Sequence, residues 1–179
     1  HLAPEPISLD DVYCDIQTIA DLLDVAERGA QVVAAMRRDC TPRAASERPP
    51  SLLVQWWPKP VIAPGRDSWV NDLLDAAGAV NPIRHRPVKS TPLSDEEVRE
   101  IDPDAIVISW CGVKPNKYRP DVIYRKPEWQ SVKALTNHHV FCVPEGFLGR
   151  PSPRLADGAR ALRQVVETIT AQSSRGHAA

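Results

Sequence analysis

Residues Ala105 to Trp110 read Ala-Ile-Val-Ile-Ser-Trp, an unbroken apolar and β-branched run. A strand with one wet face alternates polar and apolar residues. A continuous run therefore predicts a strand covered on both faces, as in a parallel sheet with helices above and below. Ser51-Leu52-Leu53-Val54-Gln55-Trp56-Trp57, ended by Pro58 and Pro60, and Val140-Phe141-Cys142-Val143 read the same way.

Helical patterns separate these runs. Ser8 is placed as an N-cap, with Asp10 and Asp11 in the first turn, where negative charge suits the dipole. Leu9, Val12, Ile16, Ile19, Ala20 and Leu23 then keep three-and-four spacing. A second helical stretch runs from Ala26 to Arg38, and the proline-rich residues 41–50 form a loop. Ser68 to Ala77 puts Trp69, Val70, Leu73, Leu74 and Ala77 on one side, with Gly78 as its C-cap residue. Ser94-Asp95-Glu96-Glu97 fits a capping box, and its helix ends near Ile101. Pro127 to Leu135 reads as a short helix, Ser152 to Ile169 as a closing helix, and residues 173–179 as a disordered tail. Strands alternating with helices predict an α/β fold, a Rossmann-like parallel-sheet lobe flanked by helices.

The length of 179 residues suits one domain with a real core and is short for two. A net charge of -1 with scattered basic residues argues against a nucleic-acid surface. No apolar run approaches the ~20 residues of a membrane helix. The chain opens His1-Leu2-Ala3-Pro4-Glu5, without a signal peptide or an initiator Met, so a trimmed product is expected. Cys14, Cys40, Cys111 and Cys142 show no zinc spacing and read as buried free thiols, with a Cys14–Cys40 or Cys111–Cys142 disulfide left open.

Ligands of open parallel sheets bind beyond the carboxyl ends of the strands. Here those ends are Trp56-Trp57-Pro58, Trp110-Cys111-Gly112 and Val143-Pro144-Glu145-Gly146-Phe147, with aromatic residues or glycines at all three.

Several motifs then appear together and in order. They are Ser68-Trp69-Val70-Asn71-Asp72-Leu73-Leu74 followed by Ala77-Gly78-Ala79-Val80-Asn81, Ser94-Asp95-Glu96-Glu97-Val98, Asp102-Pro103-Asp104-Ala105-Ile106-Val107, Trp129 to Leu135, and Phe147 to Gly158. In this set the chain resembles the cobalamin and ferric-siderophore binding proteins of ABC importers, over nearly its whole length. The resemblance implies a two-lobed, class III periplasmic-binding-protein fold whose lobes are joined by a long helix. Residues 1–24 would supply that inter-lobe helix and residues 25–172 the C-terminal lobe. The N-terminal lobe would be missing from this chain.

The resemblance also implies roles. Trp56, Trp57 and Trp110 would offer indole area to a flat chelate, strand alternation sending one of the first two inward and the other out. Phe147 and Arg150 match ligand-contacting positions of cobalamin-binding relatives, although Arg150 could instead pair with Glu145. A relative's acidic contact falls on Gly146, which weakens cobalamin specifically. Glu96 would dock on the membrane permease while Glu97 fills the capping box. Trp129 reads as core, and His138-His139 as a turn rather than a metal site. The implied function is binding of a metal chelate (cobalamin-like, then ferric siderophore or haem) and its delivery to ABC-importer permease subunits after export. No catalysis and no cofactor beyond the transported ligand are expected. A chelatase-like enzyme and a non-transport sensor remain the alternatives.

Overall fold

The computed structural model describes residues 3–44 and 46–176. In chain order its elements are α1 (Leu9–Leu22), α2 (Ala26–Asp39), β1 (Leu52–Gln55), β2 (Trp57–Pro58), β3 (Val61–Pro64), α3 (Val70–Ala77), β4 (Ser90–Leu93), α4 (Asp95–Ile101), β5 (Ala105–Ile108), α5 (Pro120–Tyr124), α6 (Lys133–Thr136), β6 (Val140–Cys142), α7 (Glu145–Leu148) and α8 (Leu155–Gly176).

Strands β1, β5 and β6 form the expected parallel sheet, with β5 in the centre. Leu52 pairs with Ala105 and Gln55 with Ile108, and on the other side Ile106 pairs with Val140. All four residues of β5 are fully buried, because helices cover both faces. Val54 and Val107 point into one cluster with Leu73, Leu74, Leu155 and Leu162. Leu53, Ile106 and Ile108 point into the other, with Trp110, Ile123 and Trp129. The unbroken apolar run of β5 is the direct consequence.

The run 51–57 is not one strand. It divides at Trp56, and β2 turns into an antiparallel ribbon with β3 and β4. Trp56 is the joint: its N–H donates to the Ile62 carbonyl at 2.7 Å, and its own carbonyl accepts from Cys111 N–H at 3.1 Å. Pro58, Pro60, Pro64 and Pro92 mark this stretch as loop in the sequence. A short edge ribbon tolerates proline where its missing N–H faces away from the ladder.

Helices α1 and α2 form a hairpin rooted on the lobe. Ser8 caps α1 with both bonds of a capping box, the second from Asp11 rather than a glutamate. Leu9 N–H donates to the half-buried Asp72 of α3 at 2.7 Å. Gly78 closes α3 in the left-handed region, φ 80°. The stretch 127–135 is a 3₁₀ turn at Pro127–Trp129 followed by α6, not one helix. The closing helix α8 reaches Gly176, past the expected end at Ile169, so the expected tail from 173 is helical as far as 176. Residues 177–179 lie outside the described residues. All four cysteines are free, and only Cys40 is buried, which corrects the buried reading for Cys14, Cys111 and Cys142.

Candidate binding site at the carboxyl ends of the strands

Strand alternation separates the two neighbouring tryptophans as expected. Trp56 is half-buried against the cluster formed with α3 and α8. Trp57 is 44% exposed on the ribbon, directly across from Ile62. Phe147, just after β6, packs on the same cluster as Trp56. The Arg154 guanidinium lies 4.7 Å from the Phe147 ring centre. A Cβ at Gly158 would collide with the Phe147 carbonyl, so this glycine lets α8 approach the loop that carries the phenylalanine.

Trp110 goes to the other side of the sheet, into the cluster of Ile108 and Trp129. It is almost wholly buried, with its indole N–H donating to Gln55 Oε1 at 3.0 Å. Tyr118 packs edge-on against it at 5.8 Å. The Tyr118 hydroxyl donates to the Trp110 carbonyl at 3.4 Å and accepts from Glu145 N–H at 3.0 Å. One side chain thus ties the end of β5 to the start of α7. Burial raises the Tyr118 phenol pKa above its ordinary value.

Glu145 in turn holds Arg150, the local pairing that competes with a ligand role for this arginine. The Cys111 thiol beside them has a raised pKa, from burial of the sulfur first and the Glu145 charge second. Gln55 Nε2 and Ser109 Oγ, both at strand ends and fully buried, have no hydrogen-bond partner among the described residues. Neither Gln55 nor Tyr118 stood out in the sequence. A glutamine ending an apolar run is the one cue that pointed to the first, and nothing local pointed to the second.

Glu96 lies apart from these residues, on the first turn of α4 with its side chain 75% exposed and Arg99 at 3.5 Å. The capping box uses Ser94 and Glu97 as expected. Arg86 reaches Glu97 at 2.8 Å, Lys126 pairs with Asp95, and the Lys126 ammonium sits 4.0 Å from the Trp129 ring centre. Trp129 is fully buried, as read. His138 is an exposed turn residue at φ 59°, whereas His139 is buried with Nδ1 3.0 Å from the Asp104 carbonyl. The described residues contain no group of three or more His, Cys, Asp or Glu placed to hold a metal ion.

The parallel sheet is covered on both faces, and beyond its strands come aromatic rings and the exposed Arg150 and Arg154. The chain belongs to the periplasmic binding protein family, whose model matches residues 3–146. Among solved structures it is similar to an ABC-type Fe3+-hydroxamate transport system from Saccharomonospora viridis DSM 43017 (TM-score 0.77, 25% identity, 90% of this chain and 57% of that one). It is also similar in fold to the periplasmic vitamin B12 binding protein of Vibrio cholerae (0.69, 18%, 93% and 64%) and to a periplasmic heme-binding protein from Roseiflexus sp. RS-1 (0.73, 22%, 92% and 65%). The chain therefore spans less than two thirds of the length of each of these proteins. No curated protein matches it in sequence.

Proposed function

We propose that this chain is the C-terminal lobe, with the lobe-connecting helix in front, of an exported substrate-binding component of an ABC importer. Its cargo is a metal chelate of the cobalamin, ferric-siderophore or haem class, held without chemical change and handed to the permease. One observation supports the reading: Trp56, Phe147 and Arg150 all follow the carboxyl ends of parallel strands in a chain of this family. The rings offer flat apolar area, and the guanidinium suits oxygens on a chelate. Trp57 and Trp110 are proposed as the remaining aromatic contacts, and Glu96 as the permease-docking carboxylate, because its side chain is 75% exposed, against 42% for Asp95 and 37% for Glu97, and Arg99 reaches it at no closer than 3.5 Å.

The inter-lobe role of α1 is supported by a gradient of burial. Its root residues Leu9, Val12 and Tyr13 are buried, whereas Ile19, Leu22, Leu23 and Val25 at the hairpin tip are 43%, 70%, 66% and 42% exposed. That tip is firmly built, with Gln17 Nε2 donating to the Ala26 carbonyl at 3.1 Å and Val25 N–H to the Ala20 carbonyl at 2.9 Å. A rigid apolar knob of this kind fits against another packed surface, and a second lobe would supply it.

The test is a tryptophan-fluorescence titration of the full-length protein with cyanocobalamin, hemin and ferric hydroxamates, corrected for ligand absorbance. Saturable one-to-one quenching by one of them is expected. No saturable response from any would overturn the proposal.

A further inference from the structure

The carboxamide of Gln55 is buried at the end of β1, beneath Trp110, and only half of it is used. An indole N–H can only donate, so the oxygen of Gln55 must be the atom that faces it, at 3.0 Å. The orientation of the amide is thereby settled, and Nε2, with two N–H bonds, is left without an acceptor among the described residues. Buried donors are almost always paired, and an orphan at a strand's carboxyl end asks for an acceptor that arrives from outside. Around it the Trp110 carbonyl accepts from the Tyr118 hydroxyl, the Gln55 carbonyl accepts from Ser109 N–H at 3.0 Å, and the buried Ser109 hydroxyl is likewise without a partner among the described residues.

Trp110 is itself 6% exposed, and after it come the exposed Cys111 and Gly112. Gly112 has φ 70°, and a Cβ built there would meet nothing within 4 Å, so this glycine faces open space.

We infer that Gln55 is a ligand-binding residue: its Nε2 donates to a carbonyl-type oxygen of the bound molecule, with Trp110 as the side chain that yields. This rests on the chelate-binding reading above and narrows it to ligands that bring an amide, carboxylate or hydroxamate oxygen to the sheet edge. Trp110 then contributes by moving aside, and Gln55 Oε1 is free to accept from the same ligand.

The experiment compares the full-length protein with its Gln55→Met and Trp110→Phe variants, titrated with cyanocobalamin, hemin and ferrichrome, alongside melting temperatures without ligand. For the ligand that the wild type binds, Gln55→Met is expected to weaken affinity about tenfold with a ligand-free melting temperature near that of wild type, since it removes the orphaned Nε2 donor and leaves the Trp110 indole N–H without its acceptor. Trp110→Phe removes the indole N–H that faces Gln55 Oε1, so the Gln55 side-chain amide resonances should already move in the ligand-free variant. Side-chain amide resonances of Gln55 in a 15N spectrum should shift downfield on saturation with the diamagnetic cyanocobalamin or a gallium-loaded hydroxamate, a readout that does not depend on any variant folding. Wild-type binding with unchanged affinity in Gln55→Met, or no shift of the Gln55 amide at saturation, would overturn this inference alone. Absence of binding by the wild type would overturn it together with the reading on which it rests.

Discussion

The Nε–H of Arg150 points between the two carboxylate oxygens of Glu145, 2.9 Å from one and 3.1 Å from the other. The arginine side chain is 67% exposed and the glutamate only 14%. The carboxylate is therefore the anchored partner and the guanidinium the projecting one. Its Nη groups make no hydrogen bond among the described residues, so they remain available to an incoming oxygen without loss of the pair. Arg150→Ala in the full-length protein should weaken chelate binding by about tenfold, roughly 1.4 kcal/mol. Its melting temperature should hardly move, since an exposed pair contributes about 0–1 kcal/mol. A large loss of stability with unchanged affinity, read by calorimetry, would make the pair structural only.

The hairpin tip gives a second prediction. Replacing Leu22 and Leu23 together by serine should leave the melting temperature of residues 1–179 unchanged or raised, and should lower binding of a hydrophobic dye. In the full-length protein the same change should destabilise by on the order of 2 kcal/mol for each leucine, the scale for burying such a side chain. Equal effects in both proteins would show that nothing covers the tip.

On α4, adjacent carboxylates should separate cleanly. Glu96→Ala should abolish permease-dependent uptake while ligand affinity and melting temperature stay as they were. Ser94→Ala should cost about 1 kcal/mol of stability through the lost cap, with uptake retained. Loss of uptake in both variants in proportion to stability would remove Glu96 from the docking role.

Asp72 and Glu97 should respond to pH in opposite senses. Burial raises the Asp72 carboxyl above its ordinary value of 3.8, against the opposing Leu9 N–H. Its charged form is thus disfavoured in the fold, a penalty that is present at neutral pH and relieved as pH falls through the raised value. Asp72→Asn keeps an oxygen for Leu9 N–H and should be more stable than wild type at neutral pH, with the difference closing below the unfolded value. The Ser94 backbone N–H, and then Arg86, lower the Glu97 carboxyl below 4.5. Its contribution is complete above that unfolded value and lost as pH falls through the lowered one, so Glu97→Gln should be less stable at neutral pH and equal in acid. Urea midpoints measured across the acid range would check both signs.

What the sequence made legible was whatever rests on local chemistry or on period. Ser94 with Glu97, Gly78 in the left-handed region and the unbroken Ala105–Ile108 strand are all present as read. The ribbon of β2, β3 and β4 was hidden because its prolines are the residues that ordinarily end strands, and only the edge position makes them compatible with pairing. At the site, the aromatic positions at strand ends were visible from the topology rule, whereas Arg150 was visible only through the family resemblance. The links between them were not: Tyr118 to Glu145 spans 27 positions and Trp110 to Gln55 spans 55. No periodicity encodes such distances, and only the packed sheet brings these groups together.

The joint at Trp56 limits how such a chain can diversify. Because one residue donates to the ribbon with its N–H and receives the parallel sheet with its carbonyl, adding or removing a single residue between Leu52 and Ile62 would turn every following side chain of β2 to the opposite face. The side chains at 56 and 57 are therefore free to change, whereas the spacing around them is not. Length changes should accumulate instead in the exposed stretch 111–117, where an inserted loop reshapes the cleft rim without shifting a strand.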